Sequence, residues 1–404
     1  MNKTNGRAVV IGGSMSGLLA GLLLRRAGWQ VDIFERVDGE LAGRGAGIVA
    51  QPDLIAMLAR IGIETTGLGV EITTRKILDA SGRVTNEFAC PQVLTAWERV
   101  YRALRDQFPS SHYHRGRGLT YFTETSDAII AHFSDGGSER GELLVGADGL
   151  RSAVRQQCLP QLRPLYAGYI AWRALLPEAA FPRDIHRELF EYMTFCLPPG
   201  EQFLGYPVAG SDNDLRPGHR RYNIVWYRPA DEASELRELL TDESGTYHEI
   251  SIPPPLIRRS AIASMRADAE RLLAPQFRAL VRMIDEPILQ PIYDLETPRM
   301  AFGRVAIMGD AAFVARPHVA AGVAKAADDA EALVAALGRG DVEPALRRFE
   351  SERVPVGCRI IERARHLGAY LQASQTVEER ARSQRHSIPQ AVLAETAVLD
   401  FLRA

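Results

Sequence analysis

Residues 8–35 carry the sequence AVVIGGSMSGLLAGLLLRRAGWQVDIFE, and this stretch decides the fold. Ala8 to Ile11 is a short apolar run rich in β-branched residues, which predicts a buried strand. A helical pattern from Leu18 to Arg26 follows and stops at a glycine. A second strand-like run, Val31 to Phe34, ends at the acidic Glu35. Strand, glycine turn, helix, strand and acidic residue in this order predict a dinucleotide-binding βαβ unit.

The glycine turn has the form GGSMSG. Gly12 permits the tight turn and Gly17 lets the helix pack closely on the strand, while free backbone N–H groups at the helix start can hold a pyrophosphate. Ser14 occupies the middle position that is usually glycine, and its small side chain still allows a phosphate to approach. Glu35 can accept hydrogen bonds from the adenosine ribose. An ordinary α/β unit with a glycine-rich turn is the alternative. The predicted cofactor-binding residues here are Gly12, Ser14, Met15, Ser16, Gly17, Glu35 and Arg36.

Composition limits the classes of function. The chain has 404 residues, enough for two or three domains, with 46% hydrophobic and 24% charged residues, ordinary for a soluble protein. A formal net charge of −2 gives no electrostatic support for a nucleic-acid or anionic-membrane partner. The four cysteines are far apart and form no CxxC pair, so neither a disulfide framework nor a metal site is predicted. The apolar run Leu18 to Leu24 is too short to cross a bilayer. We expect a cytoplasmic protein.

Two further glycine-rich segments follow. Residues 142–155 (ELLVGADGLRSAVR) predict a strand that runs into Asp148, which is then placed to bind a ribose or ribityl hydroxyl. The alternative role for Asp148 is an N-cap of the following helix. Residues 43–48 (GRGAGI) permit close backbone approach to a flat or phosphorylated group, with a flexible loop as the alternative. From these segments and the next predicted strand we add Arg44, Gly47, Leu119 and Asp148 to the cofactor-binding set.

The middle of the chain has a different character. Between residues 164 and 290, short alternating segments rich in aromatic residues predict an antiparallel sheet, with Arg187 to Phe195 and Gln202 to Val208 among them. Helix formers and charged residues dominate from Glu343 onward. These helices could pair two chains as a homodimer.

Three motifs in order resemble those of one family: GxSxxG with Glu35, the Ala147-Asp148-Gly149 turn, and Gly309-Asp310. Together they closely resemble the single-component flavoprotein aromatic hydroxylases, the para-hydroxybenzoate hydroxylase-like group, along nearly the whole chain. GYIAWRALLPE at 168–178 is similar to the first strand of that family's substrate domain. Within the family, residues 12–17, 221–231 and 291–322 are similar to hydroxypyridine hydroxylases.

The resemblance implies an α/β (α+β) fold with three parts. A discontinuous Rossmann-like FAD-binding domain is expected over 1–75, 97–163 and 291–340. An interleaved antiparallel-sheet substrate domain is expected over 76–96 and 164–290, and a C-terminal helical segment over 341–404.

The resemblance also implies the chemistry. FAD would be bound tightly without a covalent link, and NAD(P)H would bind transiently as reductant. Oxygen from O2 would pass through a flavin C4a-hydroperoxide to an electron-rich aromatic or N-heteroaromatic ring. An epoxidase, a decarboxylating hydroxylase and a non-catalytic flavin- or NAD-binding regulator stay open as alternatives. The choice between NADH and NADPH is also open.

The stretch 309–330 (GDAAFVARPHVAAGVAKAADDA) would then face the flavin. Asp310 would meet the ribityl-pyrophosphate region, and the start of a helix at Gly322, Val323 and Ala324 would steady negative charge on the reduced flavin. Pro317 would fix the backbone in front of the ring. Asp328 and Asp329 are expected to be first-turn or surface charges.

Candidates for substrate contact follow from the same stretch and the middle sheet. His318 is the candidate that assists ring deprotonation, because an unperturbed imidazole titrates near neutrality. Tyr206 could supply a second hydroxyl. In place of an arginine that many family members carry before the helix near residue 99, this chain has Trp97, with Arg99 two positions later, so Arg44 and Arg99 both remain candidates for flavin contact.

Overall fold

The computed structural model describes residues 6–41, 47–338 and 340–402 as a mixed α/β fold. Its strands in chain order are β1 (Arg7–Ile11), β2 (Gln30–Phe34), β3 (Gly47–Ala50), β4 (Val70–Leu78), β5 (Val84–Ala96), β6 (Tyr113–His114), β7 (Leu119–Glu124), β8 (Ile129–Phe133), β9 (Ser138–Gly141), β10 (Leu143–Gly146), β11 (Leu165–Pro177), β12 (Met193–Cys196), β13 (Gln202–Val208), β14 (Arg221–Pro229), β15 (Ile288–Glu296), β16 (Ala301–Phe302), β17 (Val305–Ile307) and β18 (Phe313–Val314). Its helices are α1 (Met15–Arg26), α2 (Pro52–Arg60), α3 (Trp97–Gln107), α4 (Ala153–Cys158), α5 (Arg183–Leu189), α6 (Arg237–Leu239), α7 (Arg259–Leu272), α8 (Pro275–Arg282), α9 (Gly322–Leu337), α10 (Val342–Gly368), α11 (Val377–His386) and α12 (Pro389–Glu395).

The first sheet places the predicted turns side by side. Within the described residues it has the strand order β16-β17-β10-β1-β2-β6, and β17, β10, β1, β2 and β6 run parallel. The apolar run predicted for β1 is buried in the core. Because parallel strands end at the same edge, the turns after β1, β10 and β17 meet there together with Glu35 after β2. Ligands of open α/β sheets bind at this edge.

The second sheet is mostly antiparallel. Within the described residues its order is β18-β15-β11-β14-β13-β12-β4-β5-β3, with only the β12–β4 pair parallel. One face packs against α7 and α8, and the other carries Tyr169, Tyr206 and Tyr227 toward the first sheet's turns. β3 and β18 join this sheet, although residues 47–50 and 313–314 fall within the ranges predicted for the FAD-binding domain. The domain ranges stay a prediction.

One local expectation is wrong. Arg187 to Phe195 does not form a strand, because α5 occupies Arg183–Leu189 and only Met193–Cys196 pairs in the sheet. Pro182 is the N-cap, where its missing N–H interrupts no helical hydrogen bond, and Asp184 in the first turn favours the positive end of a helix. The fold class itself is confirmed, since parallel and antiparallel sheets are followed by C-terminal helices. Over the described ranges, no helix has the length and apolarity needed to cross a bilayer.

Candidate active site

A long cleft of about 610 Å³ follows the carboxyl edge of the first sheet. We call it the long cleft. Three predicted cofactor-binding residues, Gly17, Gly47 and Ala324, do not line it. Arg44 lies outside the described residues. The predicted residues that do line it are Gly12, Ser14, Met15, Ser16, Glu35, Arg36, Leu119, Asp148, Asp310, Gly322 and Val323.

The glycine turn is packed too closely for side chains. Gly12 has φ +104°, and a Cβ there would lie 2.4 Å from the Ala147 carbonyl oxygen. A Cβ on Gly17 would lie 1.8 Å from the Gly12 carbonyl oxygen. Gly17 therefore acts by packing, which explains why it does not line the long cleft.

The start of α1 is open to a ligand. Ser14 makes no side-chain capping bond, and the first turn holds no acidic residue. In the described part of the chain, the N–H groups of Met15 and Ser16 have no acceptor. Unpaired N–H groups and the positive end of a helix suit an anion such as a pyrophosphate.

Glu35 is fixed at the same edge. Its carboxylate accepts hydrogen bonds from the N–H of Gly13 at 2.8 Å and of Val37 at 2.9 Å. The side chain is buried but lines the long cleft. A carboxylate keeps further lone pairs beyond these two bonds, so it can also accept ribose hydroxyls.

Asp148 supports the start of α4, but the N-cap of that helix is Ser152, so the N-cap alternative for Asp148 is wrong. It accepts hydrogen bonds from the Ser152 hydroxyl at 2.5 Å and the Ala153 N–H at 2.7 Å, at the start of α4, while also lining the long cleft. Burial raises the pKa of Asp148. The buried Arg155 connects this turn to the next one, because it donates to the carbonyls of Leu150 at 2.5 Å and Ala311 at 3.0 Å.

Asp310 is a carboxylate that the protein leaves without a partner. It faces the long cleft, and no donor among the described residues bonds to its side chain. Its side chain is exposed to the cleft, yet desolvation by the surrounding cleft wall raises the pKa of Asp310. An unpaired carboxylate exposed on a cleft wall suits the hydroxyls of a ribityl chain, because both of its oxygens can still accept hydrogen bonds.

Asp329 holds the Asp310 turn in place. The expectation of a surface charge at Asp329 is wrong, because the residue is 2% exposed. Its carboxylate accepts the Gly309 N–H at 3.1 Å and pairs with Lys325 at 3.2 Å and Arg353 at 2.8 Å. Burial alone would raise the pKa of Asp329, but the two cations outweigh it and the pKa is lowered.

A second cavity of about 250 Å³, which we call the inner cavity, opens from the long cleft at the start of α9. That helix begins without a side-chain cap and without an acidic residue in its first turn. The predicted residues Gly47, Tyr206, Pro317 and His318 line the inner cavity. The residues common to both walls are Ile48, Arg173, Gln290, Asp310, Gly322 and Val323.

His318 is 2% exposed and its Nε2 lies 2.9 Å from the Tyr169 hydroxyl. Burial, reinforced by the nearby positive charge of Arg316, lowers the pKa of His318 to about 3. The expectation that this imidazole titrates near neutrality is therefore wrong. His318 is neutral at physiological pH and is a poor proton acceptor.

The neighbours of His318 have structural partners. Arg316 is buried and forms a two-pronged ion pair with Asp294, with a shortest distance of 2.8 Å, so it joins this segment to β15. The Tyr206 hydroxyl donates to the Gly47 carbonyl at 2.9 Å, and burial raises the pKa of Tyr206 to about 12. The polar insert at 316–318 is thus built into the core.

Sequence reasoning missed several lining residues. Trp97 lines the long cleft, whereas Arg99 lines a separate small pocket on α3. Arg173 stands at the junction of the two cavities, within the segment 168–178 that resembles the first strand of the family's substrate domain. Gln202 and Tyr227 line the inner cavity from β13 and β14, and no local motif distinguishes them from ordinary sheet residues.

Known proteins resemble this chain over nearly its whole length. The family model described as FAD binding domain-like matches residues 166–294. The 2,6-dihydroxypyridine 3-monooxygenase of Paenarthrobacter nicotinovorans is 32% identical over 92% of this chain and 93% of its own. The 3-amino-4-hydroxybenzoate 2-monooxygenase of Streptomyces cremeus is 30% identical over 89% of this chain and 86% of its own.

A solved structure agrees with this likeness. The 2,6-dihydroxypyridine-3-hydroxylase from Arthrobacter nicotinovorans superposes with a TM-score of 0.86 and 31% identity, covering 92% of this chain and 94% of that one. Sequence and fold thus agree over nearly the whole chain. The chain belongs to the FAD-dependent aromatic-ring monooxygenases, as its motifs indicate.

Proposed function

We propose that this protein hydroxylates an electron-rich, hydroxypyridine-like ring, using NAD(P)H as reductant and O2 as oxidant. The observation that carries the proposal is the junction of the two cavities at the uncapped start of α9. A cofactor lying along the long cleft would present its reactive end to a ring in the inner cavity. The named activities of the two relatives, on a dihydroxypyridine and an aminohydroxybenzoate, support this class of substrate.

The residues of the long cleft suit FAD. When bound, FAD would supply the redox chemistry that couples NAD(P)H oxidation to O2 activation. The open start of α1 would hold the pyrophosphate, Glu35 the adenosine ribose, and Asp310 the ribityl hydroxyls. The start of α9, through Gly322, Val323 and Ala324, would face the flavin ring with its positive end.

The inner cavity would orient the substrate and exclude water. Its volume of about 250 Å³ lies below that of pockets for drug-sized ligands, about 300 to 1,000 Å³, and therefore favours one ring or a small fused pair. Met193, Leu204 and Val225 supply apolar wall. We propose that His318 and Tyr206 touch the substrate and that Pro317 fixes the backbone beside it.

The test is turnover by the purified holoprotein. We expect a yellow protein whose NAD(P)H oxidation is slow alone and is stimulated by 2,6-dihydroxypyridine or 6-hydroxynicotinate. With ¹⁸O2, the product should gain one labelled oxygen atom. Comparing NADH with NADPH in the same assay identifies the reductant.

Other outcomes separate the alternatives. Loss of CO2 together with oxygen gain identifies a decarboxylating hydroxylase, and an epoxide product identifies an epoxidase. A flavin that NAD(P)H cannot reduce, whichever aromatic ligand is added, contradicts the proposal and favours a regulator. A homodimer and a cytoplasmic location stay predictions.

A further inference from the structure

The inner cavity has an unusual balance of polar groups. Among the described residues that line it, Asp310 is the sole carboxylate, and it lies at the mouth shared with the long cleft. Two of the lining cations are neutralised, since Arg316 pairs with Asp294 and Lys325 with Asp329. What remains inside is a set of neutral polar side chains and one further cation. The hydrogen bonds that these groups make to their neighbours determine which of them can donate to a ligand.

The Tyr169 hydroxyl determines the tautomer of His318. Tyr169 is 0% exposed, and in the described part of the chain its hydroxyl has no hydrogen-bond partner except His318 Nε2, at 2.9 Å. A buried hydroxyl proton needs an acceptor, so Tyr169 donates to Nε2. A neutral imidazole that accepts at Nε2 carries its proton on Nδ1.

The imidazole of His318 then presents its Nδ1–H as a hydrogen-bond donor to the inner cavity. Its Cδ2 edge lies against the end of α10, where a Cβ on Gly368 would be 3.1 Å from that atom. Nδ1 is on the opposite edge of the ring, and no described residue bonds to it. Because His318 is part of the cavity wall, its Nδ1–H is available to a ligand.

Gln202, like His318, accepts a hydrogen bond from a tyrosine hydroxyl and keeps an N–H without an acceptor in the described part of the chain. The Tyr370 hydroxyl donates to Gln202 Oε1 at 2.8 Å, which fixes the orientation of the amide. Gln202 is 2% exposed, and its Nε2 is buried with no partner among the described residues. A buried amide N–H without an acceptor on a cavity wall indicates a ligand that provides one.

Arg173 is the cation left without a carboxylate. Its Nη1 donates to Gln290 Oε1 at 2.9 Å, its buried Nε has no partner, and no described carboxylate lies within ion-pair distance. Its charge acts inside the inner cavity: burial raises the pKa of Tyr206 and Tyr227, and Arg173 lowers both in part. The cavity therefore combines one cation that lacks a carboxylate partner among the described residues with hydrogen-bond donors, while the Asp310 carboxylate lies at its mouth.

We propose that the inner cavity takes up its ring substrate as an anion formed before binding, with the ring oxygen held by His318 Nδ1–H, Gln202 Nε2–H and the charge of Arg173. This inference rests on the proposed function and names its substrate class: hydroxylated N-heteroaromatic rings acidic enough to ionise near neutral pH. The ring proton is lost to buffer in solution, and no side chain of the cavity accepts it. An ordinary phenol, with a pKa of about 10, is mostly neutral at pH 7 and binds poorly.

None of the described titratable side chains that contact His318 can accept the substrate's proton in its place. Apart from Arg316 on its own segment, the titratable side chains against the imidazole are Tyr169 of β11 and Tyr227 of β14. Burial raises the pKa of both, so both are neutral at physiological pH.

The test uses two probes with the same pair of hydroxyls, 2,6-dihydroxypyridine and the less acidic resorcinol. Their dissociation constants for the oxidised holoenzyme are measured anaerobically from the flavin absorbance between pH 6 and 9, without NAD(P)H. Each probe's own pKa is measured in a separate titration. We expect affinity to follow the ionised fraction, rising about tenfold per pH unit below the probe's pKa and levelling off above it.

Variants test the donors. His318→Ala should weaken binding of ionised 2,6-dihydroxypyridine about 10- to 100-fold, as expected for a lost hydrogen bond to a charged group. His318→Asn, whose amide N–H can lie near the position of Nδ1, should recover most of that loss. Tyr169→Phe removes the hydroxyl that donates to His318 Nε2, so the imidazole proton is no longer held on Nδ1. This variant should weaken binding of the ionised probe about fivefold or more. The matched control is Tyr222→Phe, a buried tyrosine of β14 on the opposite face of the sheet, which should leave binding unchanged.

Two results overturn the inference. One is an affinity for 2,6-dihydroxypyridine that does not change with its ionised fraction, including no binding at any pH. The other is a wild-type ionisation near pH 7 that belongs to neither probe and disappears in His318→Asn. If His318→Ala does not retain FAD, the pH dependence of probe binding to the wild-type holoenzyme still tests the inference. Turnover with pH-independent binding refutes this inference alone, whereas pH-dependent binding without NAD(P)H oxidation refutes the proposed function alone.

Discussion

The long cleft and the inner cavity are built in different ways. The long cleft is positioned by backbone features, namely a glycine turn, uncapped helix starts and turns at one sheet edge, to which Glu35 and Asp310 add their carboxylates. The inner cavity is formed by side chains from β11, β13, β14, β15, the 314–323 segment and the C-terminal residues Thr396 and Ala397. Backbone sites depend on glycine positions and local spacing, whereas side-chain sites depend on partners far apart in the chain. Substitutions should therefore separate cofactor binding from substrate binding.

The largest effect should come from Gly17→Ala. Its Cβ would lie 1.8 Å from the Gly12 carbonyl oxygen, so the backbone of the turn must move. We expect overpacking of about 1–3 kcal/mol, which corresponds to roughly 5- to 150-fold weaker FAD binding. Flavin content and FAD titration of the apoprotein measure this. Gly39→Ala is the matched control, because nothing lies within 4 Å of a Cβ there. Full flavin content in Gly17→Ala would show that the turn does not shape the cofactor site.

The next largest effect should come from Arg173→Met and should fall on the substrate. Removing the cation that has no carboxylate partner should raise the KM for the ionised substrate about 10- to 100-fold, while flavin content stays at the wild-type level. Arg99→Met is the matched control: Arg99 is likewise half-buried and unpaired among the described residues, but it lines another pocket. Loss of flavin in Arg173→Met, or equal effects of both variants, would remove the distinction between the two sites.

The smallest effect should come from Asp310→Asn, at the boundary of the two sites. We expect about tenfold weaker FAD binding from the lost charge-assisted bonds. The same substitution should raise the thermal stability of the apoprotein, although it weakens FAD binding. Desolvation by the cleft wall raises the pKa of Asp310, so its ionised form destabilises the fold slightly above the ordinary carboxyl range. Solvent reduces this cost because the side chain is exposed to the cleft, and the cost disappears as the pH falls.

Apoprotein melting curves at two pH values test the sign of this effect. The Tm of Asp310→Asn should exceed that of the wild type at pH 7 and approach it at about pH 3, below the ordinary carboxyl pKa, where the carboxyl is mostly protonated in both folded and unfolded chains. A lower Tm at pH 7 would mean that Asp310 has a stabilising partner in the apoprotein, contrary to its open position on the cleft wall.

The same contrast explains what the sequence could predict. The glycine turn and Glu35 follow one another within thirty residues, so their spacing alone indicates a dinucleotide site. The tautomer of His318 depends on Tyr169, 149 positions away, and the burial that lowers its pKa cannot be inferred from its neighbours in sequence. Asp329 looked like a helix surface charge because its partner Arg353 lies on another helix.

The most direct test of the account is a crystal structure of the holoenzyme with 2,6-dihydroxypyridine bound. We predict the flavin ring at the start of α9 and a ring oxygen of the ligand about 2.7–3.2 Å from His318 Nδ1, with Arg173 on the same side. A flavin in the long cleft with the ligand bound outside the inner cavity, or with its ring oxygen facing away from His318, would contradict the account.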